Sequence, residues 1–192
     1  MGELLDRRRA PARHQLDVGA YYKMAEAGIL TQDDHVELIG GEIFDMAPIG
    51  STHAGKTNRL IRLFARAAAD GLALVSVQGP LGLDAYNEPQ PDVMLLKPSE
   101  DDYQSRHPGA ADVLLLVELS ETSLAYDRGK KLALYAGFGV PEVWIVDLPG
   151  AAIEVYREPT GDAYAFKQRL TSGLLAPVLA PGVAIDVGAL LA

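Results

Sequence analysis

Five branched apolar residues in succession, Val113-Leu114-Leu115-Leu116-Val117, run directly into an acidic one, Glu118. An unbroken apolar run of this length suits a strand covered on both faces, and a carboxylate at its end is costly without a partner. A helical pattern follows. In it Lys131 shares its angle with Phe138, between Leu134 and Tyr135. At about 100° per residue its ammonium points to the apolar side, while Lys130 points toward water. Gly137, Gly139 and Pro141 end the helix, and residues 142–146, with the only tryptophan, Trp144, form a second buried strand. Glu118 and Lys131 are thus placed to meet at the carboxyl edge of a sheet, where open α/β sheets bind ligands. On these residues alone the pair reads equally as a buried ion pair without chemistry or as part of a site.

Upstream, residues 16–30 predict a short helix with Tyr21, Tyr22, Met24 and Ala25 on its apolar side and Gly28 at its close. Two alternating runs around Gly40-Gly41 predict a hairpin, with Glu37 and Glu42 flanking the turn. Ser51 or Thr52 can cap a helix running to Asp70. Leu60, Leu63, Phe64 and Ala67 share one of its faces. On the adjoining face Lys56, Arg59, Arg62 and Arg66 form a basic stripe, which reads as a solvated face or a set of phosphate contacts. His53 falls on the apolar side near the N-terminal end, as a core histidine or a catalytic one. Residues 73–78 and 92–96 predict further strands, the second opened by Pro91-Asp92. Beyond Asp147 the pattern is all-β: a hairpin around residues 159–162, then one more strand over residues 183–187.

The length of 192 residues fits residues 1–15 as a flexible basic arm, with Arg7, Arg8, Arg9 and Arg13, and residues 16–192 as a single domain. No apolar run approaches the roughly 20 residues that cross a bilayer, and no apolar stretch follows the N-terminal arginines as in a secretory signal. The cytoplasm is the expected compartment, with no membrane partner. With no cysteine, disulfides, thiolate metal sites and a cysteine nucleophile are excluded. A net charge of -9 and a pI near 4.8 argue against a protein that coats nucleic acid, so any phosphate-binding groups must be localised.

Asp92 opens one strand, Glu118 ends another and Lys131 projects from the next helix. Two carboxylates with a lysine beside them suit metal-assisted phosphodiester hydrolysis. The carboxylates bind Mg²⁺ or Mn²⁺ through oxygen, and the lysine orients water or offsets charge in the transition state.

Pro91-Asp92, Val117-Glu118-Leu119-Ser120, Asp127-Arg128-Gly129-Lys130-Lys131 with Tyr135, and Gly139-Val140-Pro141-Glu142-Val143-Trp144 together resemble the Uma-type restriction endonuclease-like family. This family lies within the PD-(D/E)XK nuclease superfamily. The likeness extends to residues 36–42, His53 and Gln78. It implies an α/β fold with a restriction-endonuclease-like αβββαβ core and a mixed central sheet. An N-terminal helix and β-hairpin and a C-terminal β-hairpin flank that core. It also implies Mg²⁺-dependent endonuclease chemistry, with DNA as the expected substrate. Asp92 and Glu118 would be the metal-binding acids. The superfamily's lysine would fall at Ser120, where it is absent; Lys131 stands in the place from which this family is thought to supply it. Leu119 would lend its carbonyl to the metal. Glu37 and Glu42 would add a metal ligand or orient Lys131, and Tyr135, Gln78 and His53 would line the pocket. A homodimer would pool two basic stripes and cut two strands. The competing expectation is the same fold without catalysis, as a nucleic-acid-binding or assembly protein.

Overall fold

The computed structural model describes residues 13–31 and 33–192. Most of the expected basic arm, including Arg7, Arg8 and Arg9, lies outside the described residues. What is described of it docks on the hairpin: Arg13 Nη1 donates to Glu42 Oε1 at 2.9 Å, and Gln15 Nε2 donates to the Gly40 carbonyl at 3.1 Å. Helix α1 (Val18–Glu26) is capped by Asp17, whose Oδ1 accepts from the Ala20 N–H at 2.7 Å. None of its residues is buried. Its tyrosines tie it down through their hydroxyls instead, Tyr21 to the Val36 carbonyl at 3.1 Å and Tyr22 to Glu88 at 2.7 Å.

Strands β1 (Val36–Ile39) and β2 (Glu42–Asp45) form the expected hairpin. Gly40 and Gly41 stand at φ 63° and 72°, the left-handed pair that a two-residue hairpin turn of type I′ requires. A Cβ on Gly41 would also lie 2.6 Å from that of Gln15, so the close approach of residues 13–16 depends on this glycine. Helix α2 (Ser51–Ala69) buries Thr57, Leu60, Phe64 and Ala67. Its N-cap is Gly50, without a side-chain hydrogen bond, and not the expected Ser51 or Thr52, which lie inside the helix.

Strands β3 (Leu74–Val77), β4 (Val93–Leu96) and β5 (Val113–Ser120) follow. Strand β5 runs past the expected end of its apolar stretch, so Glu118 stands inside a strand whose residues are all buried. The next helix is composite: α3 (Leu124–Tyr126), a π-helical turn (Asp127–Lys131) and α4 (Leu132–Gly137). Leu132 donates its N–H to the Asp127 carbonyl, five residues back, with Gly129 inside the widened turn. Strand β6 (Glu142–Asp147) leads into the hairpin β7 (Ala152–Thr160) and β8 (Ala163–Leu170). The turn is tighter than expected, because Thr160 pairs with Ala163 across Gly161-Asp162. Pro159 is tolerated inside β7 because pairing with β6 ends at Arg157. The strand expected over residues 183–187 does not join the main sheet. β9 (Leu174–Leu175) and β10 (Ile185–Asp186) form a separate ribbon, and α5 (Val187–Leu191) closes the chain.

The central sheet has the order β3-β4-β5-β6-β7-β8, parallel between β5 and β6 and antiparallel elsewhere. Leu60 and Phe64 of α2 pack with Val93, Leu95, Val117 and Trp144 on one face; Tyr135 and Val140 pack with Met94, Leu116 and Ile145 on the other. The succession α2-β3-β4-β5-helix-β6 is the expected αβββαβ core. Among the described residues no helix is long and apolar enough to cross a membrane.

Candidate active site

Strand register brings the acids together. Val77, Val93 and Val117 align across β3, β4 and β5. One step further, Gln78, Asp92 and Glu118 share the next row, and the Gln78 N–H donates to the Asp92 carbonyl at 3.0 Å. The Leu119 N–H donates to Asp92 Oδ2 at 2.8 Å, which fixes the aspartate against β5. Its other oxygen faces His53 Nε2, 3.1 Å away in the first turns of α2. The Asp92 hydrogen bond raises the pKa of His53; burial works against that shift, and the charges of Asp92, Glu121 and Glu118 add to it. His53 Nδ1 is buried and has no partner among the described residues.

From the opposite face the composite helix delivers its lysine. Lys131 Nζ lies 2.9 Å from Glu118 Oε1 and 3.3 Å from Glu37 Oε2. One turn later the Tyr135 hydroxyl donates to the same Glu118 oxygen at 2.6 Å. Burial pushes the Glu118 carboxyl up to about 8; Lys131 and the Tyr135 hydrogen bond oppose this, while Asp92 and Asp127 reinforce it. Burial alone would lower Lys131, but Glu118 and Glu37 outweigh it and hold the ammonium charged.

Glu37 is buried in β1, its Oε2 also accepting from the Gln90 N–H at 3.1 Å. Asp127 is a member that sequence reasoning did not place in the site. It is buried in the π turn and accepts from Ser120 Oγ at 2.7 Å and Ser123 Oγ at 2.6 Å. Its spacing of four residues before Lys131 is the signal that could have found it. Ser120, two residues after Glu118, turns its hydroxyl to Asp127.

Asp92, Glu118, Lys131, Glu37, His53 and Gln78 line one cavity of about 530 Å³. Tyr135 stands behind its floor, fully buried. Glu42 is not brought in. It lies on the outer strand of the hairpin, bound to Arg13 and 3.4 Å from Lys130, so the expectation that it supports the metal or Lys131 is corrected. The basic stripe is corrected in part. Lys56 Nζ donates to the Leu190 and Leu191 carbonyls at 3.0 and 2.7 Å, and Arg59 Nη1 to the Ala189 carbonyl at 2.9 Å, so both are committed to the end of α5. Arg62 and Arg66 are exposed, with Arg66 beside Asp70 at 3.7 Å.

Among the described residues, no three His, Cys, Asp or Glu side chains form a ready metal cage. The donor chemistry nevertheless fits a hard divalent ion. Glu37, Asp92, Glu118 and Asp127 outnumber Lys131 and His53, so the lining holds more acid than base. Asp92 and Glu118 would hold the ion, with backbone oxygen and water completing its shell, as Mg²⁺ tolerates.

The mixed six-stranded sheet with its αβββαβ succession is a restriction-endonuclease-like α/β fold. Residues 18–188 match the Uma2 family, described as "Putative restriction endonuclease", and the chain belongs to that family. A crystal structure from Anabaena variabilis, of a "putative nuclease belonging to DUF820", has a similar fold. It is 13% identical, the match covers 92% of this chain and 97% of that one, and the TM-score is 0.69. At that identity the likeness speaks for the fold. No curated protein matches the sequence.

Proposed function

We propose that this protein is a Mg²⁺- or Mn²⁺-dependent endonuclease that hydrolyses phosphodiester bonds in DNA. The observation that carries the reading is Asp92 beside Glu118 at the floor of a cavity, with Lys131 held on Glu118 at 2.9 Å. Membership of a family described as "Putative restriction endonuclease", and a fold shared with a protein described as a "putative nuclease", support it. A bound divalent ion would neutralise and polarise the scissile phosphate.

The chain's own residues do the rest. Lys131, held beside Glu37 and Glu118, places a fixed positive charge where the phosphate's negative charge grows, with little reorganisation. Asp92 is kept rigid by the Leu119 N–H and His53. Recession of Glu118 and Lys131, 4% and 6% exposed, strengthens both interactions by excluding water.

The test is calorimetric titration with Mg²⁺ and Mn²⁺ of the wild type, Asp92→Ala and Glu118→Ala. Hydrolysis of supercoiled plasmid and of a single-stranded oligonucleotide is measured on the same preparations. Metal binding and cleavage should both be present in the wild type and lost in both variants. A wild type that binds no metal and cuts neither substrate sinks the reading, leaving Glu118 and Lys131 as a structural pair in a binding or assembly protein.

A further inference from the structure

Above Asp92 and Glu118 lies the cavity already described. Its volume of about 530 Å³ falls within the roughly 300–1,000 Å³ of pockets that enclose a small organic ligand. The side chains at its floor are recessed, Asp92 being 17% exposed and Lys131 6%. The loop from β2 to α2 forms one wall, and the segment after β5 forms another. A duplex carries its phosphates on the outside of a stiff double helix and needs an open groove; a flexible single strand can feed one unit inward.

The charges around the cavity agree. A protein that grips duplex backbone neutralises several phosphates at once with clustered Lys and Arg. Among the described residues that line this cavity, Lys131 is the single Lys or Arg, and Asp45 and Glu121 add further acid. Lys56 and Arg59, which could have extended a basic track, are occupied by the carbonyls of α5. The loop wall is apolar: Met46, Ala47, Pro48 and Ile49 succeed one another, and Ile49 is 51% exposed. Tyr126 adds an aromatic surface. Gln78 lines the cavity from a left-handed backbone, φ 50°, a strained setting for a residue with a side chain.

We infer that the substrate is single-stranded nucleic acid, such as an end, a flap or a loop. One nucleotide enters with its base against Ile49 and Tyr126, its edge within reach of the Gln78 amide, and its phosphate toward Asp92 and Glu118. The inference rests on the nuclease reading and narrows its substrate. One site then suffices for one strand, which removes the reason to expect a dimer.

The test uses one labelled DNA sequence in three forms: a single strand, a duplex with both ends closed by short loops, and the same duplex carrying a single-stranded flap. Binding is read by fluorescence anisotropy in Ca²⁺ and cleavage in Mg²⁺ and Mn²⁺, for the wild type and Ile49→Ala. Single strand and flap should bind and be cut at least tenfold better than the closed duplex interior. Ile49→Ala should raise KM for the single strand several-fold with kcat and metal affinity unchanged. Equal or faster cutting of the duplex interior, or an Ile49→Ala variant with unchanged KM, overturns the substrate inference and leaves the nuclease reading standing. A wild type that neither binds metal nor cuts any form removes the nuclease reading, and this inference with it.

Discussion

Two glutamates occupy the same row of the central sheet, on either side of Ile145: Glu118 on β5 and Glu154 on β7. They are 3% and 4% exposed, about 10 Å apart by two strand spacings, and the same π turn supplies the cation to each. Yet they titrate in opposite directions. Burial pushes Glu154 up, but hydrogen bonds from Arg128 and Tyr156, with Lys167 and Arg128 as nearby charges, bring it below the usual glutamate range. Arg128 meets it with a fork, Nε and Nη2 each at 2.9 Å. Glu118 has a point charge from Lys131, which it shares with Glu37, and faces Asp92 and Asp127 besides. Both are shielded from solvent, but Glu118 is the more deeply enclosed and has two further acids near it, whereas Glu154 is less enclosed and has a forked guanidinium. One carboxylate is satisfied and structural, whereas the other is left short of charge at the floor of a cavity.

The largest expected effect separates the two cations. Lys131→Met should lower cleavage by about 10²- to 10³-fold while metal binding by calorimetry persists. Arg128→Met should keep cleavage within a few-fold and lose stability. The loss is expected at about 1–2 kcal/mol, less than the 3–5 of a wholly buried pair, because Arg128 is 37% exposed. Single-turnover rates and urea unfolding on both variants check this. Equal loss of cleavage in the two would erase the distinction between the rows' two ends.

The carboxylates themselves sharpen the contrast through stability. In chelator, Glu154→Gln should destabilise by about 2 kcal/mol at neutral pH, since it leaves Arg128 with Asp147 alone. Glu118→Gln should stabilise by about 1 kcal/mol near pH 8, at the cost of activity. The signs follow from linkage. Glu118 keeps a proton in the folded state that the unfolded chain has released between the ordinary glutamate range and about 8, so its contribution falls as pH rises through that window. Glu154, lowered, contributes fully above the ordinary range and loses its contribution as pH falls through its folded value. Urea midpoints from pH 5 to 9 should show the falling slope in the wild type and its removal in Glu118→Gln. An unchanged slope would mean that Glu118 is charged throughout.

Much of the fold was legible because local pattern and tertiary role agree. The run Val113–Val117 reads as a buried strand and is one, and Gly40-Gly41 reads as a hairpin turn and stands at left-handed φ. Lys131 reads as inward-facing and is buried. What was not legible depends on distance or on hydrogen-bond choice. Nothing local sets the register that puts Asp92 beside Glu118. No periodicity distinguishes an i+5 from an i+4 bond, so the π turn that lets Arg128 and Lys131 serve different glutamates is invisible in sequence. Helix α5 is too short for a face to emerge, and so the partners of Lys56, more than a hundred residues away, were hidden too.

That last contact gives the smallest effect. On α2, Lys56 and Arg62 belong to one basic stripe by sequence, but Lys56 closes the exposed carbonyls at the end of α5 and Arg62 is exposed. A hydrogen bond from a charged donor contributes about 1–2 kcal/mol when its partner has no substitute, and an isolated surface charge stays within about 0.5 kcal/mol. Lys56→Ala should therefore lower the urea midpoint with cleavage of a single strand unchanged, and Arg62→Ala should change neither. If Arg62→Ala weakens single-strand binding in a salt-dependent way, Arg62 belongs to the substrate path, and its distance from the cavity's lining would mark how far the strand extends. The rule that separates Glu118 from Glu154 then holds for cations as well: the role of a charge is set by what its head group touches, and residues alike in sequence part company there.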